Sequence, residues 1–223
     1  MKLYVNNDQE IERVNQYKYL GVMLDEKLTW KPHLKLIKSK LSKSLGLLYR
    51  NRRYLDRRSL MLIFHSLFCS HLSYGILCWG RCSRSSMQPL QILLNKAIKC
   101  INFKKLTTSE QETLSLFHKD KILTVNDMFK LELGKFMFKY HKGLLPCNFD
   151  NYFMSVSSVH SYSTRSSTAN YFLPRKNKSQ GLCGLSYLGA KLWSGVPDII
   201  KSKNSLSSFS KSYKKELLDK YIQ

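Results

Sequence analysis

An apolar residue recurs every three or four positions along residues 32–54, a spacing that an α-helix places on one face. The opposite positions carry mostly lysine and arginine. Any fold of this chain must therefore bury one side of a long helix and leave a strongly basic side exposed. The recurring apolar residues are Leu34, Ile37, Leu41, Leu45 and Leu48.

The basic residues around this helix are not balanced by acids. A lysine-rich face is ordinarily a solvated one, but acids four residues away, which would offset the repulsion, are absent here. Between positions 31 and 58 there is a single acidic residue, Asp56. The pattern favours contact with phosphate groups, and the predicted nucleic-acid-binding residues are Lys31, Lys35, Lys38, Lys40, Lys43, Arg50, Arg52, Arg53, Arg57 and Arg58.

The composition of the whole chain agrees with a polyanionic partner. The 223 residues include 37 Lys and Arg against 15 Asp and Glu, a formal net charge of +22. A hydrophobic content of 43% indicates a folded protein, and this charge indicates nucleic acid before a membrane surface. There is no apolar run of transmembrane length, no signal-peptide pattern and no disulfide spacing. We expect an intracellular protein without a membrane partner; nucleus and cytoplasm are not distinguished.

Helix signals continue to the end of the chain. Asp56 is a predicted N-cap, Ser86 the predicted cap of a helix to Ile101, and Ser109 the start of a capping box. Thr124 caps the next predicted helix, which Gly143 ends. An amphipathic helix is predicted over Ser205–Tyr221, and residues 155–167, rich in serine and threonine, predict a loop.

Short β-strands are predicted only near the amino terminus. Leu3–Val5 and Ile11–Val14 are expected to form a hairpin, with Tyr19–Leu24 as a third strand that contains Gly21. Residues 27–30 predict a return strand, with Thr29 as a candidate cap of the basic helix. The fold class is therefore mainly α (α+β). The predicted regions are β-hairpins over 1–30, a helical region over 31–105, a second over 106–154, a linker over 155–185 and a helical tail over 186–223.

Several stretches resemble one known family. Residues 18–33 read KYLGVMLDEKLTWKPH, residues 71–80 read HLSYGILCWG, and residues 90–101 read LQILLNKAIKCI. Further likeness lies in HSYSTR at 160–165 and in residues 189–197. These stretches resemble the part of non-LTR (LINE-type, jockey and chicken-repeat-like) retrotransposon reverse transcriptases that follows the catalytic palm.

The resemblance implies a role for each region. Residues 1–30 would be the primer-grip end of a palm, with Tyr19, Leu20 and Gly21 at the nucleic acid. Residues 31–105 would be the thumb, and the implied partner is RNA or an RNA–DNA hybrid held by its backbone.

Residues for catalysis are not apparent in the sequence. Polymerases hold two metal ions with paired carboxylates, but the chain has no Asp-Asp pair, and the adjacent Asp25 and Glu26 point to opposite sides of an extended segment. The sequence therefore predicts a catalytically incomplete part of a reverse transcriptase, with residual nucleic-acid binding, that is not an enzyme on its own. No cofactor or metal is expected: Cys69, Cys78 and Cys82 are more typical of core cysteines than of zinc ligands.

An alternative function belongs to a different class. A decayed or co-opted copy of such an element would act only as a protein-interaction module, with its hairpin edge pairing with another chain. The sequence does not separate these two functions.

Overall fold

Helices form most of the chain, as the sequence predicts, and the strands lie near the amino terminus. The computed structural model describes residues 4–5, 9–10, 12–156, 170–173 and 184–222. The longer helices are α1 (Lys31–Asn51), α5 (Arg84–Ile101), α6 (Glu110–Lys119), α7 (Val125–His141), α8 (Leu185–Ser194) and α10 (Leu206–Asp219). Among the shorter helices, α2 (Arg57–Ile63) continues through a π-helical turn (Phe64–Cys69) into α3 (Ser70–Ser73). The others are α4 (Ile76–Trp79), a 3₁₀ turn (Cys147–Phe149) and α9 (Asp198–Lys201).

The strands form two separate antiparallel hairpins rather than the single small sheet that the sequence predicts. β1 (Tyr4–Val5) pairs with β2 (Gln9–Glu10), so the prediction of Ile11–Val14 as the second strand is wrong. Tyr4 pairs with Glu10 and Val5 with Gln9, so the second strand lies before the predicted segment, and residues 12–14 belong to no strand. The predicted turn at 6–8 and most of the predicted loop at 155–167 lie outside the described residues.

The third predicted strand is instead a complete hairpin. β3 (Gln16–Tyr19) pairs with β4 (Val22–Asp25), and the chain reverses at Leu20 and Gly21, where φ is +44° and +80°. Two successive residues with positive φ make the tight turn that matches the right-handed twist of the strands. The sequence does not predict this turn, because leucine is an apolar residue that rarely adopts positive φ, and Leu20 therefore reads as part of a strand.

Residues 27–30 form a loop and not a strand, because the Asp25 carboxylate folds the chain back. Its two oxygens accept hydrogen bonds from the backbone N–H groups of Thr29 and Trp30, both at 2.9 Å. Thr29 is therefore not the cap of α1; Trp30 precedes the helix with φ +64°. The hydrogen bonds from Thr29 and Trp30 outweigh burial and hold the pKa of Asp25 below its ordinary value.

Most of the other predicted helix starts are confirmed by their hydrogen bonds. Asp56, Ser109, Thr124 and Ser205 each accept from a backbone N–H in the first turn. The prediction of Ser86 as a cap is wrong, because α5 begins earlier and Ser83 accepts from the Ser86 N–H. Pro89 consequently lies inside the helix rather than in its first turn.

A continuous apolar core joins these helices. α1 and α5 lie side by side and run in the same direction, since the start of α1 meets Ser86–Leu90 and Arg52 lies over the Phe103 ring. α7 packs against α8 and α10. Trp79 and Trp193 are fully buried, and the prediction that Trp79 is a core residue is confirmed. Among the described residues no helix is long and apolar enough to cross a membrane.

Candidate nucleic-acid interface

The first turns of α1 and α5 enclose a groove with a basic edge. Lys31, Lys35 and Lys38 line it on the α1 side, Ser86 and Pro89 line it on the α5 side, and it has a volume of about 270 Å³. Leu34 and Leu90, both buried, form its floor. The groove therefore combines an apolar floor with a row of flexible cations.

The three lysines of this groove are exposed and unpaired. In the part of the chain that the structure describes, the ion pairs of lysine ammonium groups involve only positions 130, 135, 201 and 220. Groups that carry full charge next to one another repel, and no local carboxylate relieves that repulsion here. A bound polyanion would relieve this repulsion between the lysine ammonium groups.

The structure does not bring all of the predicted basic residues to this groove. At about 100° per residue, Lys40 lies roughly 140–180° around α1 from the groove lysines, and Lys43 lies roughly 80–140° from them. Lys40 lies close enough to His33 and His71 to lower the pKa of both rings, after the larger effect of burial. These two lysines form a second basic surface.

The arginines in the last turn of α1 and beyond it are partly engaged in contacts within the protein. Arg57 makes an ion pair with Asp120 and donates to the Asn102 side chain at 3.3 Å. The Arg52 guanidinium lies 5.2 Å from the centre of the Phe103 ring. Arg50 donates to the Gly46 carbonyl at 3.4 Å. The remaining predicted arginines, Arg53 and Arg58, are exposed.

The β3–β4 hairpin docks on the segment between α3 and α4. The Tyr74 hydroxyl donates to the Leu20 carbonyl at 2.5 Å, and Val22 packs against Gly75, where φ is +61°. Trp79 then donates from Nε1 to the Tyr74 carbonyl at 2.9 Å. Two of the sequence stretches that carry the family resemblance are thus in contact, and Tyr74 is a residue that sequence reasoning did not select.

A buried histidine fastens the same hairpin to α1. The Met23 N–H donates to His33 Nδ1 at 3.2 Å, which assigns the ring proton to Nε2. The His33 ring lies edge-on to Trp79, with ring centres 6.0 Å apart. Burial, and then the Lys40 ammonium group, lower the pKa of His33, so that the neutral ring needed for this hydrogen bond is favoured.

The tip of the hairpin is exposed and strained. Leu20 has 73% of its surface exposed and Tyr19 has 58%. A non-glycine residue in the left-handed region costs about 1–2 kcal/mol, and an exposed leucine recovers little of that cost by packing. Strain of this kind often marks a functional position; the assignment of Tyr19, Leu20 and Gly21 as contact residues stays a prediction.

Of the three cysteines predicted to be core residues, Cys69 and Cys82 are partly buried against the core, but the prediction is wrong for Cys78, which is exposed at the end of a short helix. Burial raises the pKa of the Cys69 thiol to about 12, which disfavours the thiolate that binds zinc. No group of three His, Cys, Asp or Glu side chains among the described residues could hold a metal ion.

Three curated relatives are similar to parts of this chain. The probable RNA-directed DNA polymerase from transposon X-element of Drosophila melanogaster is 28% identical over 142 residues, 60% of this chain and 14% of the relative. The retrovirus-related Pol polyprotein from type-1 retrotransposable element R1 of Bradysia coprophila is 28% identical over 118 residues, 50% of this chain and 12% of the relative. The probable RNA-directed DNA polymerase from transposon BS of Drosophila melanogaster is 31% identical over 97 residues, 41% of this chain and 10% of the relative.

These similarities confirm the resemblance to non-LTR retrotransposon polymerases. Each match covers only a small part of the relative, at most 14% of its length. No family model and no solved structure matches the chain.

One prediction from the sequence is corrected by the same comparison. The chain was expected not to be an enzyme, because a catalytic carboxylate pair is not apparent. Two of the three relatives, however, are named RNA-directed DNA polymerases. Their names contradict that prediction.

Proposed function

We propose that this chain is part of an RNA-directed DNA polymerase and holds the backbone of a template–primer duplex in the groove between α1 and α5. The observation that carries the proposal is the row of three exposed, unpaired lysines above an apolar floor. It occurs in a chain of net charge +22 that is similar to transposon polymerases. His33, which fastens the hairpin to α1, lies beside Lys40 on the side of the helix away from the groove lysines. A contact of Tyr19, Leu20 and Gly21 with nucleic acid would therefore involve the second basic surface.

The spacing of the lysines suits a polynucleotide backbone. Lys31, Lys35 and Lys38 occupy about 10 Å along the axis of α1, at 1.5 Å per residue. One strand of a duplex presents a phosphate about every 3.4 Å along its axis, so three phosphates fit in that length. Lysine ammonium groups bind phosphate as point charges and do not read base edges. Binding with little sequence preference is therefore expected. The similarity to RNA-directed DNA polymerases makes RNA or an RNA–DNA hybrid the expected partner.

The triple variant Lys31→Ala, Lys35→Ala and Lys38→Ala should weaken binding on every sequence tested. Each phosphate contact contributes about 0.9 to the slope of log K against log salt on duplex DNA and about 0.7 on single strands. Loss of three contacts should therefore flatten the slope by roughly 2 to 3 units. Fluorescence anisotropy of a labelled hybrid from 50 to 200 mM salt measures both quantities.

The matched control removes the same charge elsewhere. Lys191, Lys211 and Lys215 are exposed positions on α8 and α10, and their replacement by alanine lowers the net charge equally. The control should keep most of the affinity and slope. Equal losses in both triple variants would show that only total charge matters and would contradict a role for the groove. The pair Lys40→Ala and Lys43→Ala, on the second basic surface, tests the remaining predicted lysines of α1.

The protein-interaction alternative remains a prediction. All four residues of β3 are exposed, and within the described residues this strand pairs only with β4. Its outer edge could accept another strand. A chain that binds no RNA, DNA or hybrid at low salt would favour this alternative over the groove.

A further inference from the structure

A second cavity opens on the opposite side of α5 from the groove. It has a volume of about 430 Å³ and lies between α5, α6 and the start of α7. Its apolar lining comes from Met87, Phe117 and Val125, all of them buried. The predicted site residues do not contribute to it. Its lining includes four uncharged amide side chains, which charge patterns in the sequence do not reveal: Gln88, Gln91, Asn95 and Asn126.

Polar side chains without internal partners surround this apolar lining. Gln88 and Asn126 are exposed amides, and Arg84 and Glu110 are exposed ions. Among the described residues these four side chains make no hydrogen bond or ion pair. The cavity therefore presents amide donors and acceptors, a cation and a carboxylate together around one opening.

A deeper amide pair is held in a fixed orientation. Gln91 accepts from the Val125 backbone N–H at 2.8 Å and donates to the Asn95 carbonyl oxygen at 2.7 Å. This leaves the Asn95 amide N–H groups as donors beside the cavity. Donors whose position is set by such a hydrogen-bond chain lose little freedom when a ligand binds.

We propose that this cavity binds the base of one unstacked nucleotide. Amide side chains match the paired donors and acceptors of base edges, Arg and Glu extend that set, and bases that leave a stack bind on apolar or aromatic surfaces. A volume of about 430 Å³ lies within the range of small-molecule sites, about 300–1,000 Å³. The proposal rests on the proposed function for the source of the nucleotide, because the groove would hold the strand to which it belongs.

The position of the cavity supports this use. Pro89 and Leu90 of α5 face the lysine groove, whereas Met87 and Gln88 of the same turns face the cavity. A single strand that leaves the groove past the start of α5 would reach the cavity across one helix. Arg84, in the first turn of α5 at the cavity, would then contact its phosphate.

The test uses the full chain and four ribonucleosides, which carry no phosphate. Saturation-transfer NMR should show magnetisation reaching base protons more than ribose protons for at least one nucleoside. The double variant Gln88→Leu and Asn126→Leu should lower the affinity roughly tenfold or more, the loss expected for two neutral hydrogen bonds. Both positions are exposed, so the substitutions leave the core unchanged.

Two controls separate this proposal from the proposed function. Gln111→Leu with Asn204→Leu makes the same chemical changes at exposed positions outside the cavity and should leave nucleoside binding unchanged. The triple lysine variant of the groove should also bind nucleosides normally. Nucleoside binding by a chain that binds no polynucleotide would refute the groove and support the cavity.

The opposite results overturn the cavity proposal. If a chain that binds the hybrid transfers saturation to none of the four nucleosides, the cavity takes no base. Saturation transfer to an N-acetylated dipeptide amide and to no nucleoside would also overturn the proposal, because it would indicate a peptide ligand. Equal loss of nucleoside affinity in the cavity variant and its matched control would likewise remove the assignment to this site.

Discussion

Replacement of Trp79 by alanine should lower the free energy of unfolding by about 3–5 kcal/mol, the range for large aromatic residues deleted from a core. Trp79 has no exposed surface. Its indole contacts the His33 ring edge-on. The buried indole N–H donates its hydrogen bond to the Tyr74 carbonyl. The variant loses buried area, leaves a cavity and removes that hydrogen bond.

The effect should extend to the β3–β4 hairpin. Tyr74 holds Leu20 through its hydroxyl group, and the Trp79 indole fixes the Tyr74 backbone. His33 fastens Met23 of the same hairpin and touches Trp79. Loss of the indole therefore loosens both attachments of the hairpin, and amide exchange at β4 should become faster in the variant.

Urea unfolding followed by circular dichroism measures the stability without relying on tryptophan fluorescence. Trp79→Phe keeps most of the buried area, so it should lie between the wild type and Trp79→Ala. Tyr54→Ala is the control, because Tyr54 is 84% exposed and substitutions of that kind usually stay within about ±0.5 kcal/mol. A loss of less than about 1 kcal/mol for Trp79→Ala would contradict the central position of Trp79, since large-to-small core changes cost more.

The second large effect is expected at Asp127, where α7 begins. The Asp127 carboxylate accepts from the Tyr221 hydroxyl and the Thr124 hydroxyl at 2.7 Å, and from the Lys130 ammonium at 2.8 Å. Asp127→Ala would remove the closer acceptor of the Tyr221 hydroxyl and leave it only the longer hydrogen bond to Thr124 Oγ1 at 3.4 Å. We expect a loss of about 3 kcal/mol, the lower end for breaking a buried charged pair, because Lys130 is partly exposed.

The same residue gives the stability a defined pH dependence. Burial alone would raise the pKa of Asp127, but hydrogen bonds from Lys130, Tyr221 and Thr124 outweigh it and hold the pKa below the ordinary value of 3.8. A carboxyl group with a lowered folded pKa contributes stability that is fully present above the unfolded value and is lost as the pH falls through the folded value. The wild type should therefore lose its advantage over Asp127→Ala as the pH falls below 3.8.

Urea unfolding at pH 7 and at several values below pH 4 tests this. Glu132→Ala is the matched control: it removes a carboxylate from the same helix whose i,i+3 partner, Lys135, lies near the surface. Pairs of that kind contribute about 0–1 kcal/mol. An Asp127→Ala variant as stable as the control, or one whose deficit persists unchanged at low pH, would show that the Asp127 network does not anchor the carboxyl-terminal segment.

Local patterns predicted most of the helices. The stripe of α1 and the caps at Asp56, Ser109 and Thr124 follow from spacing and side-chain chemistry within a few residues. The strands were less well predicted, because their turn contains Leu20 in a conformation that glycine or asparagine usually adopts. The contact that accompanies this turn comes from Tyr74, 54 residues further along the chain, and no local signal encodes it.

The candidate site depended on the arrangement of the helices. The sequence shows that Lys31, Lys35 and Lys40 lie on an exposed part of α1, but the groove also needs α5 to run beside it in the same direction. The helical spacing already separates Lys35 from Lys40, but only the packing of α5 gives Lys35 an apolar floor. The predicted role of Arg57 is similarly altered by the ion pair with Asp120, which lies far away in the sequence.

Lysine acetylation footprinting tests the central claim most directly. The full chain is exposed to a limiting acetylating reagent at low salt, with and without an RNA–DNA hybrid, and each lysine is quantified by mass spectrometry. The groove account predicts that Lys31, Lys35 and Lys38 react several-fold more slowly when the hybrid is bound, whereas Lys191, Lys211 and Lys215 react at the same rate. Protection confined to the second group, or equal protection of both, would contradict a duplex held between α1 and α5.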